Sequence, residues 1–177
     1  MNVARSILLV LACVVIFAMS TEAQQLTDSG SAPVAPIPAA IFSAKKVFIS
    51  NAGADSGLFP HPFTGTQDRG YNQFYVAMQS WGRYALVGDP QEADMVFELQ
   101  LLGPNGPANA NKAKGASDPL PMFRLNVMER KTHYSLWALT ETIEAANLQK
   151  THDRNFDEAI AQLVADLKRL LDAAVSH

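Results

Sequence analysis

The chain has 177 residues, 48% hydrophobic and 18% charged, with a formal net charge of −3. No run of Lys and Arg occurs, which excludes a surface built to displace counterions from nucleic acid. The only cysteine is Cys13, inside an N-terminal apolar run, so the remainder of the chain has no disulfide and no thiol metal ligand.

Arg5 precedes a continuous apolar stretch over residues 7–19, shorter than the ~20 residues a membrane-spanning helix needs. Thr21 and Ala23 then stand at the small-residue positions before a cut at Gln24. A charged start, a short apolar centre and small residues at the cut form a secretory signal over residues 1–23. Cleavage between Ala23 and Gln24 would carry Cys13 away, and lipidation of Cys13 is the alternative outcome. The mature chain is expected to be periplasmic or extracellular, without a transmembrane helix.

Residues 24–42 are rich in Ser, Pro and Ala and have little bulk to bury, so a flexible tether is expected there. A single folded domain is expected over residues 43–175. It opens on Val47, Phe48 and Ile49, a β-rich run that stops at Asn51-Ala52-Gly53. A long segment to Gly70 follows, and loops of that length inside compact domains usually carry function or lack order. Phe59 and Phe63 flank Pro60-His61-Pro62 within it. The two rings either pin the loop to the core or present His61 on a partner-binding tip.

Phe74, Met78 and Trp81 recur at helical spacing, with Tyr71 on the same side, and Gly82 ends that helix. A short strand over residues 83–88 and an Asp-Pro turn lead to Met95, Phe97, Leu99 and Leu101. These alternate with Val96, Glu98 and Gln100, the pattern of a strand with one apolar face. Asp89, Glu92, Asp94 and Glu98 crowd this region. Turn chemistry accounts for the first three, and Glu98 points to the non-core face, where Arg124 is its expected cross-strand partner. A catalytic acid needs desolvation to shift its pKa, and no apolar surround is visible for any of them.

Residues 103–119 are poor in apolar bulk and rich in Gly, Pro and Asn, and read as a surface loop. Two further strands run over residues 122–130 and 134–144. Closing them at Lys131-Thr132 sets Val127 opposite Leu136, Leu125 opposite Ala138 and Phe123 opposite Thr140, which makes those residues the core face. Trp137, Leu139, Met128, Arg124 and Glu98 would then share the outer face. Trp and Arg are enriched in binding hot spots, which makes this set the candidate partner-binding patch; the alternative is that the closing helix covers this face, or that Arg124 stacks on the Trp137 ring and the patch is inert.

Last comes an amphipathic helix with Phe156, Ile160, Leu163, Leu167, Leu170 and Ala174 on one side. Asn155 and Glu158 are its expected capping pair. The order β-α-β-β-β-β-α predicts an α+β fold, a mostly antiparallel sheet of about five strands packed against two helices.

His61, His133, His152 and His177 show no metal-ligand spacing, and no serine sits in a nucleophile-elbow motif. Hence no catalytic, cofactor or metal residues are assigned, and no cofactor is expected.

The run of helix, Gly82, short strand and Ala93-Asp94 before an apolar strand, then a hairpin bearing Leu136-Trp137 and a closing helix, resembles uncharacterised exported domains of bacterial envelopes. In plan it is similar to the amino-terminal domain of TolB and to the curli-secretion and penicillin-binding-protein-activator lipoproteins. The resemblance covers about residues 45–172 and implies a non-enzymatic accessory or binding domain, with an envelope protein or cell-wall component as partner. A small periplasmic hydrolase using the His61 loop and nearby carboxylates is the alternative.

Overall fold

The structure, a computed structural model, describes residues 35–108 and 117–173. All the described elements lie in one compact unit that begins at Ile37. The expected signal peptide, Cys13 and most of the expected tether lie outside the described residues. The tether ends earlier than the sequence suggested. Residues Ala39–Ser43 form a short helix, α1, whose Ile41 is fully buried and whose Ile41 carbonyl accepts the Tyr84 hydroxyl at 3.3 Å. One large aliphatic side chain is enough to attach an otherwise bland segment to the core.

Strand β1 spans Lys46–Ala54, helix α2 Arg69–Trp81, and strand β2 only Ala85–Leu86. A 3-10 turn at Pro90–Glu92 leads into β3, Met95–Leu102. A small ribbon follows, β4 (Asn105–Ala108) against β5 (Ser117–Pro119), where a plain loop was expected. Strands β6 (Met122–Glu129) and β7 (Ser135–Thr142) form the hairpin, and α3 runs over Gln149–Ala173.

The main sheet has five strands in the order β2-β1-β3-β6-β7. It is an α+β arrangement, but the sheet is mixed rather than mostly antiparallel. Strand β1 pairs in parallel with both β2 and β3, while β3-β6 and β6-β7 are antiparallel. The cause is α2. A strand that returns through a helix re-enters the sheet in the same direction, whereas a tight hairpin reverses it.

Alternation decides which face is buried. Val47 and Ile49, then Met95, Phe97, Leu99 and Leu101, then Phe123, Leu125 and Val127 all point inward and are buried. Phe74 and Met78 of α2 and Phe156, Leu163, Leu167 and Leu171 of α3 meet them in one core. Gly82 ends α2 in a left-handed conformation (φ 68°), with its N–H bonded to the Met78 carbonyl at 3.3 Å. Gly70 permits close packing at the start of the same helix. A Cβ there would stand 2.7 Å from Cε1 of the buried Phe123 ring.

The closing helix begins at Gln149, six residues before the expected cap. Asn155 is therefore inside the helix and forms no capping pair with Glu158. Its side chain is buried and donates to the Glu144 carbonyl at 3.0 Å, fastening the helix to the segment that follows β7.

Candidate functional site

The β6-β7 hairpin decides the fate of the expected binding patch. Glu129 N–H donates to the Tyr134 carbonyl at 3.0 Å and His133 N–H to the Glu129 carbonyl at 2.9 Å, with His133 left-handed at φ 59°. Met128 lies opposite Ser135, as a turn at Lys131-Thr132 requires. The register then shifts by one residue, so that Val127 faces Trp137, Leu125 faces Leu139 and Phe123 faces Glu141. Leu136 is the extra residue of a β-bulge. Side chains alternate with a period of two, so one inserted residue moves everything beyond it to the other face.

Trp137 and Leu139 consequently lie on the inner side, half-buried and packed against the core, while Ala138 and Thr140 are exposed. The five-residue patch does not assemble: Arg124, Met128 and Glu98 stay on the outer face without the two apolar residues meant to complete it. Trp137→Ala should lower stability by about 1–2 kcal/mol, within the usual range for truncating a half-buried side chain. Thermal melts of this variant and of Thr140→Ala, which should melt like the parent, check the bulge.

The outer face is nevertheless distinctive. Across β1, β3, β6 and β7 the register aligns Phe48, Val96, Met128 and Ser135 in one row, and Ser50, Glu98, Asn126 and Ala138 in the next. Gln100, Arg124 and Thr140 make a third row. Glu98 takes its hydrogen bond from Asn126 Nδ2 at 3.2 Å, because Asn126 is directly opposite and the expected partner Arg124 faces Gln100. Among the described residues every helix sends its buried side chains into the inner core, and none covers this face.

The long loop is ordered onto the core. Asp55 N–H donates to the Leu101 carbonyl and the Asp55 carboxylate accepts Gly103 N–H, at 2.9 and 2.8 Å. Leu58 and Phe63 are buried, and Phe59 is half-buried. Phe63 and Phe59 reach the Phe156 ring with centroids 5.0 and 6.1 Å away, and Phe123 meets it edge-on at 4.9 Å. Both loop phenylalanines thus serve as anchors.

Arg69 locks the arrangement in place. Its guanidinium lies over Phe156, 4.5 Å from the ring centroid, and pairs with Asp153 at 2.5 Å and Asp157 at 2.6 Å. Asp153 also accepts the Thr64 N–H and hydroxyl, at 3.0 and 2.9 Å. Burial pushes the Asp153 carboxyl up, but the Thr64 N–H, Arg69, the Thr64 hydroxyl and Gln149 together bring it down to about 2. Arg69 is not among the residues expected from the sequence to be functional. Asp153 and Asp157, four residues apart on one helix face, are the signal that would have pointed to a cation between them.

His61 has Nδ1 3.4 Å from Gln149 Oε1, and Gln149 Nε2 donates to the Pro62 carbonyl at 2.5 Å. The hydroxyl of this cluster is Thr64, which is committed to Asp153. The acids of the 89–98 region are placed as follows. Asp89 accepts Gln91 N–H at 2.8 Å and caps the 3-10 turn, and Glu92 sits 4.0 Å from Lys46 in solvent. Asp94 accepts the N–H groups of both Lys45 and Lys46 at 2.9 Å, tying the start of β1 to the start of β3. The Lys46 and Lys45 N–H groups hold its carboxyl below the usual range against a small opposing effect of burial. Among the described residues no group of His, Cys, Asp and Glu is arranged to hold a metal ion. No helix among them is long and apolar enough to cross a membrane.

No protein-family model and no curated protein matches the chain. Solved structures similar to it include a Xanthomonas campestris protein of the DUF330 family, 14% identical, covering 82% of this chain and 94% of that one with a TM-score of 0.45. The PelC dodecamer of Paraburkholderia phytofirmans is 11% identical over 75% of this chain and 92% of that one, at 0.41. An uncharacterised lipoprotein B from Nitrosomonas europaea is 7% identical over 80% and 88%, at 0.34. At these scores the likenesses are loose.

Proposed function

We propose that this domain is a non-enzymatic accessory or binding module of the bacterial cell envelope, engaging a protein partner through the open face of its sheet. The observation that carries this reading is the outer face, which no described helix covers and where Phe48, Val96 and Met128 form an apolar row beside the Glu98-Asn126 pair and the exposed Arg124. A flat surface of mixed apolar and polar side chains suits another protein surface, whereas small molecules favour concave sites. The signal-like N-terminus and the resemblance of the sequence plan to exported envelope domains support the compartment. The alternative of a hydrolase gains nothing from the His61 loop, where the imidazole meets Gln149 rather than a carboxylate.

Photo-crosslinking in the native host tests the proposal. A photoreactive residue at Met128 is expected to yield a discrete crosslinked protein, and one at the exposed Glu158 on α3 is expected to yield none. Identical products from both positions, or none from Met128, would overturn it.

A further inference from the structure

The main sheet ends differently on its two sides. Strand β2 at one edge is two residues long, whereas β7 at the other has eight, with no proline and with Glu141 as its only charged residue. Short strands, prolines and charges are the usual protection of a sheet edge against a further strand. The bulge at Leu136 disturbs the start of β7 and leaves the stretch from Trp137 to Thr142 regular.

The backbone of that stretch is half free. Ile143 N–H donates to the Pro121 carbonyl at 2.8 Å. Closely bonded pairs recur at every second residue of an antiparallel ladder, so Trp137, Leu139 and Glu141 turn their N–H and C=O groups toward β6. Those of Ala138, Thr140 and Thr142 point out of the sheet, where no described residue bonds them. The inner side of the edge is incomplete as well. Leu125 and Val127 on β6 have no exposed surface, while Leu139 and Trp137 opposite them are only half-buried.

Symmetry and charge select the occupant. Antiparallel pairing of β7 with its own copy, about a two-fold axis at Leu139, sets Ala138 of each chain opposite Thr140 of the other and stays clear of the bulge. Leu139 then meets Leu139 of the second copy at a non-hydrogen-bonded position, where side chains approach closest, and each Trp137 lies diagonally beside them. The two ends of β7 differ in charge. The turn before it carries Arg130 and Lys131 against Glu129, while residues 141–148 carry Glu141 and Glu144 and no cation. None of Arg130, Lys131, Glu141 and Glu144 is in an ion pair among the described residues. The two-fold axis brings the acidic end of each strand toward the basic turn of the other.

We infer that this chain forms a two-fold dimer by antiparallel pairing of β7 with β7 of a second copy, which joins the two sheets into one. The contact lies at the sheet edge and leaves the open face free, so it goes beyond the proposed binding role and stands or falls separately from it.

Sedimentation equilibrium of the chain from Gln24 onward, at concentrations up to about 1 mM, is expected to show a monomer–dimer equilibrium. Hydrogen exchange at the Ala138 and Thr140 amides should slow as concentration rises, a readout that needs no substitution. Both side chains are exposed, so charges placed on them spare the core. Ala138→Lys/Thr140→Lys sets like charges opposite each other and should weaken the dimer at least about tenfold, as should Ala138→Glu/Thr140→Glu. An equimolar mixture of the two variants should recover the dimer, because each lysine then faces a glutamate. A monomer at every concentration would overturn the inference and leave the edge to a strand of another protein. Exchange at Ala138 and Thr140 that ignores concentration, or variants that dimerise as the parent does, would overturn it too.

Discussion

Phe156→Ala should destabilise the fold by about 3–5 kcal/mol, the largest effect expected of any single truncation here. The ring is fully buried and sits where three parts of the chain meet. Phe59 and Phe63 approach it from the long loop, Phe123 from β6, and the Arg69 guanidinium lies over its face. Removing it leaves a cavity, releases the loop anchors and takes away the cation–π contact together. Glu158→Ala, two residues along the same helix, removes only a solvent-exposed pairing with Arg154 and should change stability by at most about 1 kcal/mol. Denaturant unfolding of the two variants measures the difference. Equal midpoints would mean that the loop does not rest on Phe156.

The second large effect is electrostatic. Asp153→Asn should cost about 1.5–3 kcal/mol at neutral pH, the range for hydrogen bonds to charged groups. The acid limb of the stability profile carries the same information. The Asp153 carboxyl titrates at about 2 in the folded protein, against 3.8 for an unperturbed one. Its contribution is fully present above about pH 4 and is lost as pH falls through about 2, because the unfolded chain takes up the proton first. The parent protein should therefore lose stability faster than Asp153→Asn across that window, with the two curves converging at its acid end. Parallel curves would show that Asp153 does not hold Arg69 and Thr64 as a charged group. The ensuing loop release is readable by hydrogen exchange at the Thr64 amide, which Asp153 accepts.

The parts of the fold that were legible in the sequence are those set by local periodicity. The inward alternation of Met95, Phe97, Leu99 and Leu101, the helical spacing of Phe74 and Met78, and the Gly82 stop all reappear in the structure. Strand direction was less accessible, since alternation reads the same in a parallel and an antiparallel pair. The helix between β1 and β2 was the available clue to the crossover. Asn155 misled for a different reason. A residue suited to capping also satisfies a buried carbonyl from within a helix, and the choice depends on Glu144, eleven residues earlier in the chain.

The candidate site shows the same limit more sharply. Arg124, Met128 and Glu98 were placed on the outer face, and they are there. Trp137 and Leu139 were assigned with them by extending the hairpin register without interruption, and a bulge at Leu136 reverses both. No residue in that stretch announces a bulge. It follows from the gain of turning the Trp137 ring and Leu139 toward the core, a tertiary effect. Asp94 was read as turn chemistry, yet its two N–H bonds reach residues about 48 positions away in sequence.

The sheet has one buried face and one that the described residues leave open, and the four methionines in the described strands and helices measure the difference directly. Met78 and Met95 are 1% exposed and lie in the core. Met122 and Met128 alternate out of β6 onto the open face, at positions opposite to Phe123 and Val127. Treating the folded protein with dilute hydrogen peroxide and following each methionine by mass spectrometry compares the two faces in one experiment. Met122 and Met128 are expected to oxidise well ahead of Met78 and Met95. Equal rates at all four, or protection of Met122 and Met128 in the isolated protein, would contradict it.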